Sequence, residues 1–443
     1  MTVSSKDYHD KTAEGNNDMS SVHDSNNKDS PTTQHNQTNG HSSTAMSDDE
    51  FCAFMEGQLQ QHPLSKDYPD IFAKAPQCMT QWRRRFQDNP PLWRRLFDRD
   101  RVTKEFIEAV PVLDAVVRLI ESQSTTSDTT TEKKYTIVDL CSGKGYLSML
   151  LSELLTPSKV SRIVLMDKAF PMRNQQPQSH HINWEHIYGD RPTNVDKQQQ
   201  QEEEEETNIT GTTPPSSTYY ETWPISLDTS KQDLKASRQL DNIPHHYFST
   251  EHPAIILAIH LCGTLSLRAV QLFNDNPDTV HFLALKPCCL PGMVHVKRHE
   301  IFRLGHHSFD SNEVCIHGKW KQNKWVGGPP RSHLQDKFQV WSNHLYCGIV
   351  ETDDYNDDCG GGGNAKPTKE EDDDENAPAA PDRSGRKIHC RIMVQQGGGF
   401  QNDFLFAQRH PTTDAIWEHL KRYQVQNTEP TGTNNIESLS KAS

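Results

Sequence analysis

The sequence lacks long hydrophobic runs, and only 33% of its residues are hydrophobic. No stretch reaches the roughly 18 apolar residues that a membrane helix needs. The N-terminal segment also lacks the basic-then-apolar order of a signal peptide. We therefore expect a soluble intracellular protein, cytoplasmic, nuclear or both, without a membrane partner. The low apolar content further indicates that much of the chain contributes nothing to a core.

The sequence also lacks any C-x-x-C pair, although it contains 10 cysteines. That spacing is typical of structural zinc sites, so the pattern predicts no metal site. In a long chain without a secretory signal, scattered cysteines indicate reduced thiols rather than a disulfide framework.

Positive charge is in deficit, with 46 Lys and Arg against 60 Asp and Glu, for a net charge of −14. Taken whole, this balance argues against a nucleic-acid coat protein. However, two acidic runs, Glu202–Glu206 and Glu370–Glu375, carry most of the excess. Both runs lie in low-complexity segments, so the remainder of the chain is close to neutral and locally basic.

Composition divides the chain into structured and disordered parts. We predict disorder over residues 1–48 and 428–443, and in two insertions at about 192–220 and 352–386. The structured parts are a helical N-terminal extension over 49–121 and an α/β domain over 134–410. In the extension, Leu113, Val116, Val117 and Ile120 follow the spacing of one helix face, and Pro111 fits the first turn of that helix.

Short β-rich segments then alternate with helical patterns, which predicts a parallel α/β sheet. The predicted strands are Tyr135–Leu140, Arg162–Asp167, Ile182–Tyr188, Ala254–His260 and Val280–Lys286, with helices near Leu147–Leu155 and Leu265–Asn274. Ile388–Gln395 and Asp403–Gln408, joined by a glycine turn, are predicted to form a closing antiparallel hairpin.

The segment Val138–Ser148, VDLCSGKGYLS, is the most informative motif in the chain. A strand ends in an acidic residue, and glycines in the turn before a helix let a ligand approach the backbone. A P-loop is excluded because Lys144 is followed by Gly145, and the dinucleotide fingerprint fails because Ser148 occupies the third glycine position.

Acidic residues also end the next two predicted strands, at Asp167 and Asp190. A carboxylate at the second strand end can accept hydrogen bonds from the hydroxyls of an adenosine ribose. The alternative is that Asp139, Asp167 and Asp190 only cap helices and turns.

The loop D-x-C-x-G-x-G resembles the D/E-x-G-x-G-x-G loop of class I S-adenosylmethionine-dependent methyltransferases, with Cys141 replacing the first glycine. His260–Ser266 (HLCGTLS) and Lys286–Pro291 (KPCCLP) are similar to the HLCG-type and PCC-type signatures of one branch of this group. That branch includes the enzyme that 2′-O-methylates the acceptor stem of tRNA. The resemblance implies a Rossmann-like α/β fold with a mostly parallel seven-stranded sheet, and S-adenosylmethionine as cofactor.

The resemblance also implies roles for individual residues. Cofactor binding is expected from Asp139, Cys141, Gly143, Lys144, Gly145, Asp167, Asp190, His260 and Leu261. The catalytic candidates are His260, as general base or acceptor-orienting group, Lys286 and Cys288. A structural role for His260 stays open, and Cys288 can be a nucleophile, a pocket wall or a metal ligand.

Two basic segments with interleaved aromatic residues suggest RNA as the acceptor and partner, with tRNA as the first candidate. The cations are Arg83, Arg84, Arg85, Arg94 and Arg95, together with Lys319, Lys321 and Lys324. The alternative is that the aromatic residues pack on the domain while the cations stay solvated. The sequence therefore predicts an S-adenosylmethionine-dependent methyltransferase that modifies RNA, with a protein or small-molecule methyltransferase, or a non-catalytic binding module, as the alternatives.

Overall fold

The computed structural model describes residues 46–97, 101–122, 134–172, 175, 177–189, 219–317, 319–321, 324–326, 334–350, 385–395, 400–409 and 414–426. Asp190, the glycine turn at 397–399 and most of the segments predicted to be disordered lie outside the described residues. The last residues of three of those segments have regular structure, because α1 begins at Asp48, Tyr219–Thr222 forms a short 3₁₀ helix and Arg386 begins a strand.

Eleven α-helices and eleven strands lie in the described residues. The helices are α1 (Asp48–Gln60), α2 (Pro69–Arg85), α3 (Pro90–Phe97), α4 (Arg101–Ser122), α5 (Tyr146–Leu154), α6 (Glu185–Tyr188), α7 (Ser237–Tyr247), α8 (Leu265–Asn274), α9 (Ser311–Val314), α10 (Leu334–Cys347) and α11 (Ala415–Lys421). The strands are β1 (Tyr135–Leu140), β2 (Val160–Met166), β3 (Leu227–Ser230), β4 (Ala254–Cys262), β5 (Val280–Cys289), β6 (Ile301–Leu304), β7 (His307–Asp310), β8 (Lys319–Lys321), β9 (Lys324–Val326), β10 (Arg386–Arg391) and β11 (Asp403–Gln408).

Seven strands form one sheet in the order β10-β11-β5-β4-β1-β2-β3. The pairs from β3 across to β5 are parallel, whereas β11 runs antiparallel to both of its neighbours. This topology confirms the predicted Rossmann-like α/β fold and the closing hairpin.

The predicted third strand is wrong. Ile182–Tyr188 contains helix α6 instead, and the third strand of the sheet is β3, which follows the first acidic insertion. Buried Trp184, Ile187 and Tyr188 have the i, i+3, i+4 spacing of a helix, and the Asn183 side chain accepts a hydrogen bond from the backbone N–H of Glu185 at 2.8 Å. The strand that was expected to precede Asp190 is therefore not formed by Ile182–Tyr188.

The N-terminal helices begin with a capping box, in which Ser47 Oγ accepts from the Glu50 N–H and the Glu50 carboxylate accepts from the Ser47 N–H. The prediction for Pro111 is wrong, because it lies inside α4 rather than in a first turn. Almost the whole of α4 is buried between Phe106 and Ile120, so packing outweighs the backbone hydrogen bond lost at Pro111.

The sheet packs between two helical layers, and alternate residues of each strand face opposite layers. On β4, Ile255 and Leu257 join the core formed with α1–α5 and α11, whereas Ile256 and Ala258 join the core formed with α7, α8 and α10. The carboxyl ends of the central strands therefore meet in a cleft between the layers, where ligands of open α/β sheets bind.

Outside the main sheet, β6 pairs with β7 and β8 pairs with β9, both antiparallel. Lys319, Lys321 and Lys324 lie on the second hairpin, whose register pairs Lys321 with Lys324. Among the helices that the structure describes, none is both long enough and apolar enough to cross a bilayer.

Candidate active site

The loop after β1 turns sharply at the carboxyl end of the sheet. Cys141, Gly143 and Gly145 all have positive φ angles, of 55°, 56° and 83°. The Ser142 N–H donates to the Met166 carbonyl at 3.0 Å, which ties the loop to the end of β2. Since Cys141 replaces the first glycine of the motif and still takes this backbone shape, the substitution is compatible with the loop.

Glycine is present at the two loop positions for different physical reasons. A Cβ atom on Gly145 would lie 2.2 Å from Leu165 Cδ2, so this glycine permits the loop to pack on β2. A Cβ on Gly143 would meet no atom within 4 Å. Gly143 therefore borders open space at the strand ends, as a glycine that admits a ligand to the backbone should.

Asp139 is buried at the end of β1 and is only 2% exposed. Burial raises the pKa of Asp139 to about 7, against the hydrogen bond that Ser148 Oγ donates to its carboxylate at 2.8 Å. Sequence reasoning missed this role for Ser148, although its position in the first turn of α5 placed it beside the strand end.

Asp167 follows β2 directly and lies beside the loop. Its carboxylate accepts from the backbone N–H of Gly143 at 3.2 Å and from that of Ala169 at 2.8 Å. Each carboxylate oxygen keeps accepting capacity for a ligand hydroxyl. Asp233 follows the end of β3 by three residues, and its charge contributes to a raised pKa of the Cys141 thiol, which is mainly due to burial.

The ends of β4 and β5 carry a histidine and a lysine that face two carboxylates of α4. His260 Nε2 lies 3.0 Å from Glu105 Oε2, and Lys286 Nζ lies 3.3 Å from Glu108 Oε2. Burial alone would lower the pKa of His260, but the hydrogen bond and charge of Glu105 outweigh it and raise that pKa. Lys286 is only 2% exposed, so its ammonium forms a buried ion pair.

Sequence reasoning missed Glu105 and Glu108. The available signal was an E-x-x-E pair within the largely apolar segment of α4, because residues three apart share a helix face. No local pattern, however, connects these acids to strand ends more than 150 residues further along the chain.

The other predicted site residues differ in burial and in their contacts. The Leu261 side chain is fully buried, and Lys144 Nζ donates to the Arg95 carbonyl at 3.2 Å, which holds the loop against α3. Cys288 lies with its Sγ 3.1 Å from that of Cys262.

Several arginines proposed for RNA binding have partners within the fold. Arg85 forms an ion pair with Glu153 at 2.8 Å and covers the Trp223 ring, with only 8% of its side chain exposed. Arg84 is bonded to Asp48 and Arg95 to Glu185, and Arg83 donates to the Ser47 carbonyl. Arg94 remains exposed on α3.

Comparison with known proteins finds a methyltransferase domain in part of the chain. Residues 112–295 match the model of a family described as a methyltransferase domain. No curated protein matches the chain. One solved structure, a crystal structure of the selenomethionine-substituted CurJ carbon methyltransferase, is similar at 11% identity with a TM-score of 0.21. That alignment covers 53% of this chain and about half, 50%, of the other.

The sheet order and the match of residues 112–295 to a methyltransferase domain both support a methyltransferase of the Rossmann-like class. Methyltransferase domains of this type generally use S-adenosylmethionine. The residues present fit that molecule, because Gly143 borders open space beside the Asp167 carboxylate at the strand ends. When bound, the cofactor supplies an electrophilic methyl group on a sulfonium.

Proposed function

We propose that this chain is an RNA methyltransferase of the HLCG/PCC type, with S-adenosylmethionine as the methyl donor. In this proposal Asp167 accepts hydrogen bonds from the ribose hydroxyls, and Gly143 and Gly145 shape the loop under the cofactor. Asp233, rather than Asp190, provides the acid after the third strand. His260, Lys286 and Cys288 border the acceptor side.

The observation that favours RNA as the substrate is a basic cavity beside the acceptor side. It has a volume of about 450 Å³, and its charged lining comprises Lys235, Arg268, Arg303 and one acid, Glu300. His295 also lines it, and Thr264 connects it to the HLCG segment. A positive cavity of this size next to the methyl-transfer site suits a phosphate of the acceptor strand.

His260 is the proposed general base. Glu105 accepts from its Nε2–H, which fixes the ring and leaves Nδ1 to take the proton of an acceptor hydroxyl. This arrangement makes Glu105 a positioning residue. Lys286 is held by Glu108 and contributes a fixed positive charge at the end of β5.

The test uses total RNA and total protein extract incubated separately with methyl-labelled S-adenosylmethionine and the full chain. The proposal expects label in RNA, with a tRNA fraction as the first purified substrate. Label that enters only protein or small molecules would overturn the RNA assignment. Absence of both label and calorimetric cofactor binding would overturn the enzyme assignment in favour of a binding module.

The role of the cavity in RNA binding can be tested by removing its positive charges. Arg268→Gln and Arg303→Gln should each weaken RNA binding and reduce the slope of log affinity against log salt by about 1. Lys421→Gln is the control, since Lys421 is exposed but bonded to Glu418 on α11. An unchanged salt slope in both cavity variants would remove the cavity from the RNA interface.

A further inference from the structure

Three cysteine side chains converge at the carboxyl ends of β4 and β5. The Sγ atoms of Cys262, Cys288 and Cys289 all lie within 4.8 Å of one another, and those of Cys262 and Cys288 are 3.1 Å apart. Cys262 is exposed and the other two are half-buried. No other group of three potential metal ligands this close occurs in the described part of the chain.

The backbone pairing of β4 with β5 sets the position of this cluster. Cys262 and Cys289 are register partners in the parallel pairing of β4 with β5, and the Gly263 N–H donates to the Cys289 carbonyl at 3.3 Å. Gly263 has a φ of 56°, and a Cβ there would lie 3.3 Å from Pro291 Cα. The glycine of the HLCG motif thus permits the turn that holds Cys262 beside the PCC segment.

Three thiols this close together are better explained by a metal ion than by a disulfide. A disulfide joins two sulfurs and leaves the third unexplained, whereas thiolates are preferred ligands of zinc. Tetrahedral zinc with bonds of about 2.3 Å places its sulfurs about 3.8 Å apart. The 3.1 Å separation of the Cys262 and Cys288 sulfurs is shorter than this value and no separation in the cluster exceeds 4.8 Å, so small side-chain rotations can bring the three sulfurs onto a common centre.

Zinc binds the thiolate form of cysteine, so a divalent cation at this cluster would release the thiol protons to solvent.

We propose that Cys262, Cys288 and Cys289 together bind one Zn²⁺ ion, whose fourth position opens toward the methyl acceptor. Three protein ligands with one open position are typical of zinc sites that take part in catalysis. The open position faces the acceptor side because Cys262 is the exposed member and both strands end there. This role of the ion rests on the proposed function, although the binding of zinc itself does not.

The test begins with the full chain, purified in a non-chelating reductant and supplied with ZnSO₄. Elemental analysis should find about one zinc ion per chain. Replacement by Co²⁺ should give an intense sulfur-to-cobalt charge-transfer band and the visible bands of a tetrahedral site. Cys262→Ser and Cys289→Ser should each reduce bound zinc to below about a tenth of that amount. Cys52→Ser, on α1, is the control and should keep it.

Two further measurements make the outcome decisive. Added azide should shift the visible cobalt bands if the fourth position is open, and an unchanged spectrum would overturn the open site. Bound zinc below about a tenth of an equivalent in the reduced wild-type chain would overturn the metal site itself. Calorimetry with S-adenosylmethionine on the same samples separates the two proposals, since lost zinc with retained cofactor binding concerns only this site.

Discussion

The two halves of the cleft are built in different ways. In the cofactor half, Asp139, the glycine loop and Asp167 lie within 30 residues of one another, and their contacts are mostly with backbone groups. In the acceptor half, His260 and Lys286 are held by Glu105 and Glu108 of α4, from sequence separations of 155 and 178 residues. Local turns therefore make the first half, and tertiary packing makes the second.

This difference matches the two functions proposed for the halves, which are cofactor binding and acceptor binding. A cofactor common to many enzymes can be bound by a short loop that recurs between them. Under the proposed function, the acceptor site has to suit one substrate, and it draws on a helix that precedes the sheet. The helical N-terminal segment is thus a structural part of the acceptor half, because α4 lies in the same core as β1 and β4.

The largest expected effect is on stability in the acceptor half. Glu108→Gln should lower the free energy of unfolding by about 3–5 kcal/mol, since it leaves the ammonium of Lys286 buried without its partner. Urea denaturation measures this change. The double variant Glu108→Gln with Lys286→Met removes both charges and should recover most of the loss.

Glu105→Gln is the matched control on the same helix. Glu105 is more exposed, at 23% of its side chain against 10% for Glu108, and its partner His260 can become neutral. A loss of about 1 kcal/mol or less is expected. Equal losses from both variants would contradict the view that the Lys286 pair is the buried, structural one.

The second effect contrasts the two loop glycines in the cofactor half. Gly145→Ala should cost about 2–4 kcal/mol of stability, because its Cβ adds a clash with Leu165 to the backbone strain. Gly143→Ala should cost only the strain, about 1–2 kcal/mol. Thermal unfolding and calorimetry would measure both; the Gly143→Ala chain should fold but bind S-adenosylmethionine more weakly. Indistinguishable unfolding of the two variants would contradict the assignment.

The third effect concerns cofactor affinity alone. Asp167→Asn should weaken S-adenosylmethionine binding about 10-fold to 100-fold, because charge-assisted hydrogen bonds to the ribose are lost. Asp275→Asn is the control, since Asp275 is exposed and follows α8 at the opposite end of the sheet. If isothermal calorimetry gives equal affinities for the two variants, Asp167 does not contact the cofactor.

The same comparison explains how much the sequence could predict. β1, α5, α8 and β11 were located to within about one residue, because each has a strong local period or glycine boundary. β3 was missed because it has four residues and follows a long insertion, and the helix spacing of Trp184 and Ile187 resembles a strand in so short a segment. The three-cysteine cluster could not be found from spacing, since its members come from separate strands that only the sheet register brings together.

The smallest expected effect is a shift in pH dependence. Glu105 raises the pKa of His260, so a base at this position gains its proton, and activity falls, as the pH decreases through that raised pKa. Glu105→Gln removes the charge, lowers the His260 pKa and should move the acid limb of kcat/KM to lower pH. Asp275→Asn should leave the limb in place. An acid limb that stays fixed in Glu105→Gln would mean that a group other than the His260 imidazole takes the acceptor proton. The acceptor half would then lose its proposed base, whereas the assignment of the cofactor half would not change.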